Sequence, residues 1–323
     1  MNLLLRILFV CLAVVAGAAS AQAPAFPSKQ VTFIVPWAAG GGTDIVARKF
    51  AEQLQAMWKQ PVVVENVAGA SGIIGAQRVQ RAAPDGYTLM MTTNGVLTGN
   101  RFLFKKLPYD PDKDFVPVTQ FTDIDMFILA RVGLAANSLQ ELVGLARKEP
   151  GRVSYGSYGK GSQPELLFGL LARREKLELI HVPYKGVGPA LTAVMGGEVD
   201  VTLTGRGTGS AAIASGKTKL LAYMSGARDP ALPNVPTSAE AGYPYVRVPT
   251  WHGLFAPAGT PQAVIDKIQR DVSAIAARPD FRKDMNDRGY QLPANTSAQF
   301  AQVIRDEVKL TAEMVEAAGL QPD

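Results

Sequence analysis

Gly40, Gly41 and Gly42, with Thr43 and Asp44 directly behind them, are the first residues whose chemistry stands out. They follow an apolar run at 31–35 and the stretch Pro36, Trp37, Ala38 and Ala39, and a helical pattern begins after them. A strand that ends in glycines and opens a helix exposes backbone N–H groups at the positive end of the helix dipole. Such a nest binds an anion without a charged side chain. A nucleotide phosphate fits poorly. A phosphate loop places a lysine and a hydroxyl after its last glycine, and a dinucleotide fingerprint spaces its glycines apart. Here the glycines are consecutive, no lysine follows, and Asp44 would repel a pyrophosphate. A plain tight turn, with Thr43 or Asp44 as the helix cap, explains the same residues. The loop alone does not choose between nest and turn.

A second stretch, "VSYGSYGKGSQPELLFG" at 153–169, repeats the design. Ser157, Tyr158, Gly159, Lys160, Gly161 and Ser162 lie between a strand pattern and a helix that begins near Pro164. Ser157 and Ser162 add hydroxyls, and Lys160 adds a charge or is simply solvated. Two such loops facing one another across a cleft would clamp one carboxylate from both sides. Nucleophilic catalysis is poorly supported, because neither Ser71 nor Ser157 has the G-x-S-x-G setting. The two histidines, His181 and His252, read as packing or hydrogen-bonding residues. No metal motif is present, and no cofactor is expected.

The elements that must hold these loops alternate. "VTFIV", "PVVVENV" and "YTLMMTT" read as strands, with helical patterns at 43–58 and 72–82 between them. Ile45, Val46, Phe50, Leu54 and Met57 recur at helical spacing. The pattern resumes from "MFILARV" to "KLLAYM", with Ser138 expected to cap a helix, and 261–319 is mainly helical. Short apolar strands alternating with amphipathic helices predict parallel sheets covered on both faces. An Asp- and Pro-rich stretch near Asp123 reads as a crossing into a second lobe, and "YPYVRVPTWHGLFAPAG" near Trp251 as the crossing back. The fold class is therefore α/β, with lobe 1 at 27–123 and 253–323, lobe 2 at 124–252, and a hinge beneath a central cleft.

Composition narrows the field. The chain has 323 residues, of which 47% are hydrophobic and 19% charged, with a net charge of +5. Basic residues are scattered without interleaved aromatics, which argues against nucleic acid. Residues 1–21 read as a cleaved signal peptide: Arg6, a short apolar core, and a small-residue cut after Ala21. Cys11 leaves with it, so the mature chain has no disulfide and no thiolate chemistry.

An ordered set of segments now carries a resemblance. "FPSKQVTFIVPWAAGGGTDIVAR", "VVENVAGASGIIGAQRV", "APDGYTLMM", "VSYGSYGKGS", "HVPYKGVGPALTAVMGGEVDV", "LPNVPTSAEAG" and "TWHGLFAPAGTP" span essentially the whole mature chain. Together they resemble the tripartite tricarboxylate transporter substrate-binding proteins, also called the Bug family. The resemblance implies a periplasmic binding protein with two Rossmann-like lobes that captures a small organic carboxylate and hands it to the membrane components of a transporter. It also implies that both glycine loops share one ligand, with Asp44 a helix-start residue rather than an acid. Further wall positions implied are Thr93, Asn94, Tyr184 and Trp251, with Asn66, Ala70, Lys185 and His252 weaker. For Tyr184 and Trp251, packing at the hinge explains the residue equally well.

One stretch departs from the family pattern. Many relatives carry an acidic residue after "GEVDV"; here the stretch is "TLTGRGTGS", with Thr204 and Arg206. The change weakens an amino-acid ligand. Arg206 either pairs with a second carboxylate, which its planar fork suits, or is a solvated residue at a loop tip. The expected activity is binding without catalysis. The alternatives are a periplasmic sensor whose partner is a receptor kinase, and an enzyme acting on organic acids. The sequence does not name the carboxylate.

Overall fold

The computed structural model describes residues 26–159, 161–184, 186–224, 228 and 232–322. The signal peptide expected at 1–21 and the positions Lys160 and Lys185 lie outside these residues. In chain order the strands are β1 (Val31–Val35), β2 (Val62–Asn66), β3 (Thr88–Thr93), β4 (Phe115–Ile124), β5 (Met126–Arg131), β6 (Ser154–Ser157), β7 (Ile180–Pro183), β8 (Val201–Gly205), β9 (Thr218–Tyr223), β10 (Trp251–Pro257) and β11 (Tyr290–Gln291). The helices are α1 (Gly42–Trp58), α2 (Ile73–Gln80), α3 (Asn100–Leu103), α4 (Leu139–Lys148), α5 (Gln163–Glu175), α6 (Val187–Gly196), α7 (Arg206–Ala214), α8 (Gln262–Ala277), α9 (Pro279–Asp287) and α10 (Ser297–Ala317). None of the described helices is long and apolar enough to cross a membrane.

Two sheets form, in the orders β11-β4-β10-β3-β1-β2 and β7-β6-β8-β5-β9. The α/β expectation holds, but the sheets are mixed rather than parallel throughout. β1, β2 and β3 run parallel, as do β6, β7 and β8. β10 runs antiparallel to β3 and β4, and β5 antiparallel to β8 and β9. Of the reversed strands, β5 and β10 carry the chain between sheets, and the short β11 lines the edge beside β4. A strand that arrives by crossing has no preceding helix to reverse it, so nothing forces it parallel. β4 and β5 are one extended run broken only at Asp125, and the Ile124 N–H donates to Thr250 O at 2.7 Å, which ties the two crossings side by side.

Burial follows the amphipathic patterns. On α1 the buried stripe is Val46, Ala47, Phe50, Ala51, Leu54 and Trp58, with Phe50 stacked on Phe121 of β4 at 4.2 Å. Ile45 and Met57, expected in that stripe, are exposed. Each fully buried Leu or Phe stabilises by about 1.5–3 kcal/mol, so this stripe pins the helix whose N-terminus carries the first glycine loop. Ser138 caps α4 as expected, its Oγ accepting the Glu141 N–H.

The end of the chain departs from the expected lobe boundaries. Phe300, early in α10, packs on the outer face of the first sheet, whereas Met314 and Val315 belong to the second core. Glu316 and Glu313 pair with Arg173 and Arg174 of α5. The helix straps both units together rather than belonging to the first alone.

Candidate functional site

The first loop is held from behind. The Gly40 N–H donates to Asp44 Oδ2 at 2.9 Å, Arg48 Nε donates to the same oxygen while Arg48 Nη2 forms an ion pair with Oδ1, and Arg48 also donates to Asn66 Oδ1 at 3.0 Å. Asn66 in turn donates to the Trp37 carbonyl at 3.1 Å. Asp44 is buried, which by itself raises a carboxyl pKa; the hydrogen bonds from Arg48 and Gly40 outweigh that and hold it below the usual range. Its carboxylate is therefore a structural acceptor. From below, Gly72 and Gly75 let the next turn approach Pro36 and Trp37, since a Cβ on Gly75 would stand 2.6 Å from the Pro36 ring.

What this staple leaves open is the helix end. Gly41 is the N-cap residue of α1, and no side chain caps the helix there. The first N–H groups of a helix have no partner inside it. Ala38, Ala39, Gly40, Gly41 and Gly42 are exposed, and Thr43 is buried beneath them. The indole N–H of Trp37 is buried without an acceptor among the described residues. Of the two readings the sequence left open, a side-chain-capped turn is not what forms.

The second loop is closed on itself. The Tyr158 N–H donates to Ser162 Oγ, the Gly159 N–H to Ser157 Oγ, and the Gly161 N–H to Glu165 Oε2. The Tyr158 hydroxyl donates to the Leu203 carbonyl. These N–H groups are already used, so the two loops are not equivalent nests. Across the cleft, Gly161 lies against Leu103 of α3, and Gln163 bonds Thr250.

This loop also holds a constellation that sequence reading missed. Ser157 Oγ is 2.6 Å from His181 Nε2, and His181 Nδ1 is 3.7 Å from Glu165 Oε1. The Tyr155 ring stacks on His181 at 4.9 Å. Ser, His and Glu thus stand in nucleophile–base–orienter order, brought together by β6, β7 and α5 from residues up to 24 positions apart. Only the fold could assemble them. Ser157 is fully buried, however, and its Oγ already serves both His181 and Gly159.

Other expected wall positions divide. Thr93 ends β3, half-buried, opposite His252. The Asn94 amide is committed to the Pro249 carbonyl and Glu307. Trp251 is wholly buried, with its indole donating to Glu307 Oε2 at 2.5 Å, so it packs at the crossing instead of facing a cleft. Tyr184 lies over Gly156, and burial together with the nearby Glu198 carboxylate raises its pKa. Thr204 is buried in a bond to Thr208. Arg206 is not at a loop tip: it opens α7, its N–H donates to the Asp125 carbonyl, and its stem lies against Gly289. His252 is buried, which pushes its pKa down to about 3, and its Nδ1 bonds Thr122 Oγ1. An apolar groove of about 480 Å³ runs along α10 past Leu97, Phe115 and Phe255 and includes none of the loop residues.

Residues 46–320 match the family model described as "Tripartite tricarboxylate transporter family receptor". The chain belongs to that family. Among curated relatives of this receptor is BugT of Bordetella pertussis, 32% identical over 320 residues, covering 99% of this chain and 98% of the relative. MatC of Rhodopseudomonas palustris, solved with bound malate, is 36% identical with a TM-score of 0.73 and covers 90% of this chain and 100% of its own. Another R. palustris protein, solved with adipate, is 29% identical with a TM-score of 0.79 over 92% of this chain and 100% of its own. The receptor thus shares its two-sheet architecture with solved proteins of the family.

Proposed function

We propose that this receptor works in the periplasm, captures a small organic carboxylate at the open N-terminus of α1, and delivers it to the membrane components of a tripartite transporter. The uncapped, exposed glycine end of α1 carries the reading, because the Gly41 and Gly42 N–H groups stand at a positive helix end and no side chain among the described residues caps them. The malate and adipate in related structures support a carboxylate. A family described by its transporter favours delivery over signalling to a kinase. The two lobes would close about the paired crossings at Ile124–Met126 and Thr250, driven by the ligand's higher affinity for the closed form.

The Ser157–His181–Glu165 set favours support over catalysis. A nucleophile needs room for a substrate carbonyl and free N–H donors for the oxyanion. Ser157 is buried, and the N–H groups of Tyr158 and Gly159 beside it are taken. Its bonds instead brace the second loop.

Calorimetric titration with mono-, di- and tricarboxylates tests the reading. Gly41→Val should abolish binding with an unchanged Tm, because its side chain blocks backbone approach. Arg206→Ala should weaken dicarboxylates more than monocarboxylates. Undiminished affinity in Gly41→Val would remove the first loop from the site.

A further inference from the structure

Tyr290 lies outside every motif of the sequence. Its segment, 288–290, touches loops of both units. The Tyr290 hydroxyl stands 3.0 Å from the point where a Cβ on Gly42 would sit, directly beside the open end of α1. One residue earlier, Gly289 adopts φ +86°, and a Cβ there would stand 2.9 Å from Arg206 Cβ. A Cβ on Gly207 would likewise stand 3.2 Å from the Arg288 carbonyl oxygen. Helix α1 of the first unit and helix α7 of the second therefore begin against the same three residues.

The hydroxyl is positioned with some care. Tyr290 pairs with Ile124 at the end of β4, so the hinge strand fixes its backbone. Its ring packs edge-on against buried His252, with centroids 5.7 Å apart. Among the described residues the hydroxyl has no hydrogen-bond partner, although the ring is half-buried. A tyrosine held in place from both sides, with an unused donor beside an anion nest, is free to donate to a ligand acceptor there. Burial raises its pKa, which keeps the phenol protonated and able to donate. The contact also explains Gly42: any side chain there would displace the hydroxyl.

We propose that Tyr290 is a ligand-binding residue whose hydroxyl donates a hydrogen bond to the carboxylate seated on the N-terminus of α1, adding a side-chain donor to the backbone donors of the first glycine loop. This rests on the carboxylate reading of the first loop and adds to it a donor from the C-terminal part of the chain. The nest supplies backbone donors to any anion; the phenol adds one donor at a set height and so selects among carboxylates by shape.

The test uses the full mature chain with malate, adipate and, at high concentration, acetate as the minimal carboxylate. Tyr290→Phe keeps the ring and its packing. It should raise the Kd of the acids that bind about tenfold, the scale of one hydrogen bond to a charged acceptor, with an unchanged Tm. Gly42→Ala should weaken the same acids in the wild-type background and weaken them less in the Tyr290→Phe background, because the alanine methyl then meets no hydroxyl. Unchanged affinity in Tyr290→Phe while Gly41→Val abolishes binding would overturn the Tyr290 role and leave the nest standing. Unchanged affinity in both variants, or no binding of any of the three acids to the wild type, would overturn both.

Discussion

The most informative residue is Asp44, which the resemblance casts as a helix-start residue and which the fold uses to brace the loop before it. Its carboxylate accepts from Gly40 behind the loop and from Arg48 one turn on, so the glycines are presented by a fixed frame and not by a slack turn. The sign of its pH effect follows from its lowered pKa. An acid held below its unfolded value of 3.8 stabilises the fold above that pH, and the stabilisation is lost as pH falls through the lower folded value. Asp44→Asn keeps the Gly40 acceptor and loses the ion pair. It should melt below the wild type at neutral pH, and the gap should close as pH drops beneath about 4. A gap that stays constant across a series of melts from pH 7 to pH 3 would mean that the Arg48 contact contributes nothing.

At the scale of elements, α10 shows what a pattern reveals and what it hides. Phe300, Val303, Ile304, Thr311 and Met314 recur at helical spacing and mark the buried face. Glu307 falls in that same stripe, so a charged residue in the core was legible as an anomaly. Its partners were not, since Asn94, Thr98 and Trp251 come from distant parts of the chain. The same limit separated Ser157 from His181 and Gly42 from Tyr290. The glycine loops, Ser138 and the alternation of strands and helices depend on neighbours within one element and could be read directly. The antiparallel strands could not, because their direction is set by the crossings. Burial raises the Glu307 pKa to about 7, with the three donors pulling it back only in part. The native state then holds a proton that the unfolded chain releases above its ordinary value near 4.5, so stability falls as pH rises from that value toward 7. Glu307→Gln removes this titration. The Tm of the wild type relative to Glu307→Gln should fall between pH 5 and pH 7.5. An offset that does not move would show Glu307 ionised throughout.

For the whole molecule, the contacts across the cleft decide how capture is linked to shape. Two sheets share one extended crossing, a second crossing lies hydrogen-bonded beside it, and α10 straps both. Opening such a molecule means rotating about Asp125 and Thr250 while the strap bends or slides. The contact that must part is Gly161 against Leu103, where a Cβ on Gly161 would stand 2.7 Å from a Leu103 methyl. Arg206 against Gly289 lies at the hinge itself, since the Arg206 N–H donates to the Asp125 carbonyl. Leu103→Trp adds bulk from the half-buried α3 side without straining the glycine loop. It should prop the lobes apart and leave both cores intact. Carboxylate affinity should then fall by tenfold or more, because binding would have to pay for closure against the wedge. The radius of gyration from small-angle scattering should no longer shrink when a binding carboxylate is added, whereas the wild type should contract. Full contraction of Leu103→Trp at unchanged affinity would show that closure does not bring Gly161 onto Leu103, and would place the moving contact elsewhere along the cleft.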